Sequence, residues 1–204
     1  MVALCGAGAT LQPVSFTLQS SEREGKDTVA VSVPHDLDWQ VALAEALVAR
    51  QVSVAAFVPD SRLHGVLAGL DQGSVVLRSL AREEECVAYA AGQRIAGRRP
   101  VVLLQSSGLG NSLNALGSLV VPYRLGLPIV VSMRGTLGER NPSQVPMGRA
   151  TVPLLTAFGV QSFSLRRPDE TVSMATGVLD LAFDADETAA LLLEPELGGG
   201  REGN

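Results

Sequence analysis

The sequence predicts an α/β fold of three layers, a mainly parallel six-stranded sheet with helices on both faces. Short runs rich in Val, Leu and Ala, such as SVAAFV, VVLLQ and LPIVVSM, alternate with segments whose apolar residues recur at helical spacing. Those short runs are apolar at successive positions, as strands covered on both faces require. A composition of 46% hydrophobic and 18% charged residues over 204 residues supplies one sizeable core and leaves no sign of an internal repeat or a second domain.

Residues 1–27 show no sustained periodicity and end in the charged run SEREGKD, so they are expected to be a weakly ordered extension or an arm lying on a partner. Their GAGAT fragment has no preceding strand, and Gly6 and Gly8 have no third glycine, so it reads as flexible chain rather than a phosphate turn. The α/β domain is expected over 28–195. TVAVSVP forms a short strand or extended entry, and Asp36 or Asp38 can cap the helix WQVALAEALVARQ. The strand SVAAFV follows, then PDS turns into the helix RLHGVLAGL with Asp60 or Ser61 as its cap, and SVVLRSL is the next strand.

Residues 83–117 are the centre of the chain. They read as an acidic helix start, an apolar helix containing Cys86, a buried strand, a glycine turn at Gly108 and Gly110, and a second helix. After the strand LPIVVSM, the Gly, Pro and Asn content of RGTLGERNPSQVPMG predicts an irregular loop. GRATVPLLTAFG then reads as a short helix ending at Gly159 and VQSFSL as a strand. A helix over TVSMATGVLDLAFD follows, started by Asp169 or Glu170, and AALLLEP is the last strand. The tail 196–204 is expected to be disordered.

Several function classes are disfavoured. A net charge of -5 without a basic block argues against nucleic acid. No apolar run reaches the ~18 residues of a membrane span, and no basic-then-apolar leader is evident, so a cytoplasmic location is expected. Two cysteines, Cys5 and Cys86, are too few for a disulfide or metal framework, and Cys86 is expected to be a buried thiol. Lys26 is the only lysine, His35 and His64 are the only histidines, and neither HExxH nor GxSxG occurs.

In parallel sheets of this kind ligands bind outside the carboxyl ends of the strands, where the loops PDS, SLAREE, SSGLGN and RGTLGERNPSQ gather. Gly108 and Gly110 follow a strand and open a helix, but position 113 is Leu, so the dinucleotide fingerprint fails and a close backbone approach is expected instead. Asp60 and Ser61 either cap a helix or reach a substrate. Asn111 and Asn114 either satisfy turn backbone or hold a ligand. Arg134 and Arg149 flank the long loop and can pair with carboxylate, sulfonate or phosphonate oxygens, with Gln144 as a further polar group. By position alone, Glu83, Glu84 and Glu85 suit a helix N-terminus, where the helix dipole favours acids.

The segments REEECVAYAAGQRIAG, VVLLQSSGLGNSLNALGSL and LPIVVSMRG, with VPDSRLHGVL upstream, resemble the pyrimidine-binding (Pyr) domain of thiamine-diphosphate-dependent enzymes. Within that superfamily the chain is most similar to the sulfopyruvate and phosphonopyruvate decarboxylases, over about residues 37–165. The resemblance implies that Glu83, nine residues before the helix glycine Gly92, hydrogen-bonds the aminopyrimidine and controls its proton. It also implies catalytic roles for Asp60 and Ser61, cofactor contacts for Gly108, Gly110 and Asn111, and contacts of Arg134, Arg149 and Gln144 with a short anionic 2-oxo acid.

A complete enzyme of this kind also carries a GDG motif for Mg²⁺ and the diphosphate, and no GDG occurs here. The resemblance therefore implies a β subunit bearing that half of the site, no metal ligand on this chain, and α–α pairing in an α2β2 or larger assembly. The alternatives are a non-catalytic Pyr-like subunit that stabilises or regulates a partner, or a subunit of another 2-oxo-acid carboligase or decarboxylase.

Overall fold

The computed structural model describes residues 38–198. The extension 1–27, the TVAVSVP segment and residues 199–204 lie outside the described residues. Helix α1 (Trp39–Ala49) leads to β1 (Val54–Phe57), a 3-10 turn (Ser61–Leu63), α2 (His64–Asp71), β2 (Val76–Ser79) and α3 (Glu83–Ile95). Strand β3 (Pro100–Gln105) passes directly into α4 (Ser106–Ala115), which continues as a π-helical turn (Leu116–Val120). Then come β4 (Pro128–Ser132), α5 (Val145–Ala157), β5 (Gln161–Leu165), a 3-10 turn (Pro168–Glu170), α6 (Thr171–Phe183), β6 (Ala189–Leu193) and a final 3-10 turn (Pro195–Leu197).

The six strands pair in the order β2-β1-β3-β4-β6-β5, and every pairing is parallel. Successive residues of each inner strand serve opposite faces, the period of two inherent in a pleated strand. Ala55, Val101, Leu103, Val130, Leu191 and Leu193 join the core beneath α1, α2 and α6. Their neighbours Ala56, Val102, Leu104, Ile129, Val131 and Leu192 join the core beneath α3, α4 and α5. Burial on both faces explains the uninterrupted apolar runs, and the three-layer expectation holds. No helix among the described residues is long and apolar enough to cross a membrane.

This order creates a switch between neighbouring strands. From β1 the chain leaves through α2 toward one edge, and from β3 it leaves through α4 toward the other. The divergence opens a crevice above the carboxyl ends of β1 and β3, the position that binds ligands in open α/β sheets.

Three local expectations are corrected. The glycine turn at Gly108 and Gly110 is the first part of α4, with ordinary helical backbone at both glycines and Gln105 as N-cap. The irregular loop ends earlier than expected, because α5 begins at Val145 with Pro146 in its first turn. Proline there initiates a helix, since its fixed φ suits the first turn and no N–H is needed. The expected tail is ordered through residue 198: Leu197 is buried, and Trp39 Nε1 donates to the Gly198 carbonyl at 3.2 Å.

Candidate active site

Glu83 opens α3, and its two acidic neighbours are occupied elsewhere. Glu84 pairs with Arg82 at 2.8 Å, while Glu85 accepts from the Arg82 backbone N–H at 3.2 Å to complete a capping box. These two are the helix-start charges that sequence position suggested. Glu83 instead turns toward α4, where Asn111 Nδ2 donates to its Oε2 at 3.0 Å.

Gly108 makes this approach possible. A β-carbon at that position would lie 2.3 Å from Glu83 Cγ and 2.4 Å from Oε1, well inside contact distance. The glycine accordingly serves a close approach, but the group approaching is this chain's own carboxylate. Gly110 has a different neighbour, since its added carbon would meet Met147 Cε at 2.9 Å, so it admits α5 rather than a ligand. The fully buried Leu109 and Leu116 fix the register of α4. Each contributes roughly 1.5–3 kcal/mol by burial, against about 1 kcal/mol for the Glu83–Asn111 hydrogen bond. Packing therefore sets where α4 lies, and the hydrogen bond aims the carboxylate.

Asp60 follows β1 and caps the next turn by accepting from the Arg62 backbone N–H at 2.9 Å. Its other oxygen receives Gln105 Nε2 at 3.4 Å, and Gln105 Oε1 accepts from Ser107 at 2.7 Å. This chain spans the crevice between β1 and β3 and leads into the helix that carries Gly108 and Asn111. Gln105 is absent from the sequence-derived set, although a polar residue closing an apolar strand at the ligand edge was a readable signal.

A cleft of about 260 Å³ opens beside it, lined by Asp60, Ser61, Arg62, Arg134, Thr136 and Glu139 among others. Arg134 is not free within it. Its Nε and one terminal nitrogen grip Glu139 at 2.7 and 3.0 Å, in a bidentate pair. Glu139 also accepts from the backbone of Gly135, Arg140 and Asn141. The Arg134 guanidinium and those amides hold the Glu139 carboxyl well below the usual carboxylate range, against an opposing effect of burial. The pair organises the β4–α5 loop, a reading that the loop's sole acid could have suggested.

Arg149 and Gln144 are not brought into this cleft. Arg149 is exposed on α5, and Gln144 sits at the N-cap of that helix with its side-chain oxygen buried and unpartnered. Asn114 also points elsewhere, accepting from Ser118 at 3.0 Å. One turn along α3 from Glu83, Cys86 is fully buried, and burial together with the charges of Glu83 and Glu85 pushes its thiol up to about 12. No group of three or more His, Cys, Asp or Glu able to hold a metal occurs among the described residues.

No family model matches the chain. It is 35% identical over 154 residues to the sulfopyruvate decarboxylase subunit alpha of Methanococcus maripaludis, covering 75% of this chain and 92% of the relative. It is 36% identical over 144 residues to the protein of the same name from Methanothermobacter thermautotrophicus, covering 70% and 87%. Among solved structures it resembles the 2-oxoglutarate:ferredoxin oxidoreductase of Magnetococcus marinus with a TM-score of 0.57 at 13% identity. That match covers 79% of this chain but only 29% of the larger one, and it is a likeness of fold.

Proposed function

The chain belongs to the family of sulfopyruvate decarboxylase alpha subunits, and from that premise we propose that it is the pyrimidine-binding subunit of a thiamine-diphosphate-dependent decarboxylase. Its substrate is a short 2-oxo acid with an anionic tail, sulfopyruvate or phosphonopyruvate. The observation that carries this reading is the Glu83 carboxylate, held at the N-terminus of α3 by Asn111 and given room by Gly108 at the ligand edge of the sheet.

The residues present fit the cofactor's pyrimidine end. Glu83 offers an aimed carboxylate that can hold or move a proton at a ring nitrogen, Asn111 restrains its Oε2, and the absent side chain of Gly108 keeps the carboxylate from being displaced. When bound, thiamine diphosphate supplies the electron sink for loss of carbon dioxide. Asp60 and Ser61 stand at the substrate side, with Gln105 linking Asp60 to α4 and so to Glu83. The diphosphate and Mg²⁺ are assigned to a β subunit, in an α2β2 or larger assembly in the cytoplasm.

The test is reconstitution with a GDG-bearing partner chain, followed by titration of thiamine diphosphate with Mg²⁺ and measurement of carbon dioxide release from sulfopyruvate and from phosphonopyruvate. Saturable cofactor binding and release only in the mixed complex are expected. A mixed complex that binds thiamine diphosphate but releases no carbon dioxide from either substrate would refute the assignment.

A further inference from the structure

Arg62 is 8% exposed and makes no ion pair among the described residues. One terminal nitrogen donates to the Met133 carbonyl at 3.3 Å and the other to the Glu194 carbonyl, while its Nε is buried without a partner. The guanidinium also lies 5.9 Å from the centroid of the Trp39 ring, and burial lowers its affinity for its proton, an effect that the more distant charges of Asp60, Glu194 and Glu196 oppose. Asp60, the carboxylate that acts on it most strongly, is committed to the Arg62 backbone N–H and the Gln105 amide. Arg134, the other guanidinium of the cleft, is spent on Glu139. Thr136 lines the same cleft, and its hydroxyl is likewise buried without a partner.

Among the described residues the cleft thus holds a positive charge with no counter-ion in contact and a hydroxyl with no acceptor. We propose that it seats the anionic tail of the 2-oxo acid against Arg62 and Thr136, so that Arg62, rather than Arg134 or Arg149, determines specificity for a charged tail. The inference rests on the decarboxylase reading above. A sulfonate or phosphonate supplies several acceptor oxygens, which suits a planar guanidinium beside a hydroxyl.

The experiment uses the reconstituted complex and compares kcat/KM for sulfopyruvate with that for 2-oxobutanoate, which lacks the charged tail. In Arg62→Gln the ratio should fall roughly tenfold or more, through KM for the charged substrate, the size of one charge-assisted hydrogen bond lost. Arg62 also ties together the ends of β4 and β6, so Thr136→Val provides a second variant of nearly unchanged shape, for which the ratio should fall about threefold. Calorimetric binding of sulfoacetate to the complex gives a readout independent of turnover, with weakening expected in both variants. An unchanged ratio, or sulfoacetate that binds all forms alike or none, would overturn the proposal. Failure of the decarboxylase reading would look different: no turnover of either 2-oxo acid by the unaltered complex, with sulfoacetate binding still sensitive to Arg62.

Discussion

The Glu83 carboxylate lies over Gly108 so closely that a β-carbon there would fall 2.4 Å from its Oε1. One glycine in α4 therefore governs the position of the one carboxylate that α3 presents to that helix. Gly108→Ala should gain roughly 1 kcal/mol of helix propensity and still displace Glu83. The expected result is a folded chain, by circular dichroism and thermal melting, with decarboxylation in the mixed complex lowered about 100-fold. Unaltered activity would mean that Glu83 can relocate without consequence.

Asn111→Ala removes the hydrogen bond that restrains Glu83 Oε2. Asn111 is exposed, so folding should change by less than about 1 kcal/mol, while turnover falls roughly tenfold as the carboxylate samples other orientations. Steady-state kinetics beside a denaturant melt separates these two effects.

The Glu139 carboxyl has a folded-state pKa below its ordinary value of about 4.5, chiefly through its hydrogen bonds with Arg134. Such a group adds stability that is fully present above the unfolded value and is lost as pH falls below it toward the folded one. Glu139→Gln should therefore melt about 3 °C below the unaltered chain at neutral pH, a pair whose arginine is partly exposed being worth roughly 1 kcal/mol. The two melting temperatures should converge as pH falls below about 4.5. A gap of constant size from pH 7 to pH 3 would contradict the assignment.

Cys86 should resist thiol reagents in the folded chain. Its thiol is fully buried and pushed up to about 12, so almost no thiolate exists near neutral pH. Peptide mapping after alkylation at pH 8 should find Cys86 unmodified until denaturant is added.

Most of the fold was legible because burial on both faces of a parallel sheet leaves a plain mark in composition. The runs VAAF, PVVLLQ, PIVVS and AALLL became four of the strands with little shift in their bounds. Boundaries failed where glycine and proline play two roles. Gly108 and Gly110 looked like a turn, yet they are helical, and glycine is needed there because Glu83 and Met147 fill the space that a side chain would take. Pro146 looked like a breaker and is an initiator.

At the site, local sequence placed the backbone but could not place partners. Three successive glutamates are indistinguishable as a string, and only the fold shows that Arg82 engages Glu84 and Glu85 while Glu83 faces Asn111. Arg134 looked like a free cation, because nothing in the string RGTLGE says that Glu139 folds back on it. Arg62 drew no notice beside Asp60 and Ser61, since its burial depends on β4 and β6, which lie more than sixty residues away in the chain.

The most direct measurement is the sulfopyruvate decarboxylation rate of Glu83→Gln in the mixed complex, at thiamine diphosphate and Mg²⁺ concentrations shown to saturate it. The glutamine keeps the shape and can still meet Asn111, but it cannot hold or move the proton. A rate roughly 100- to 10,000-fold below that of the unaltered complex, with folding and assembly preserved, is the predicted result. A rate equal to that of the unaltered complex would contradict the role given to Glu83.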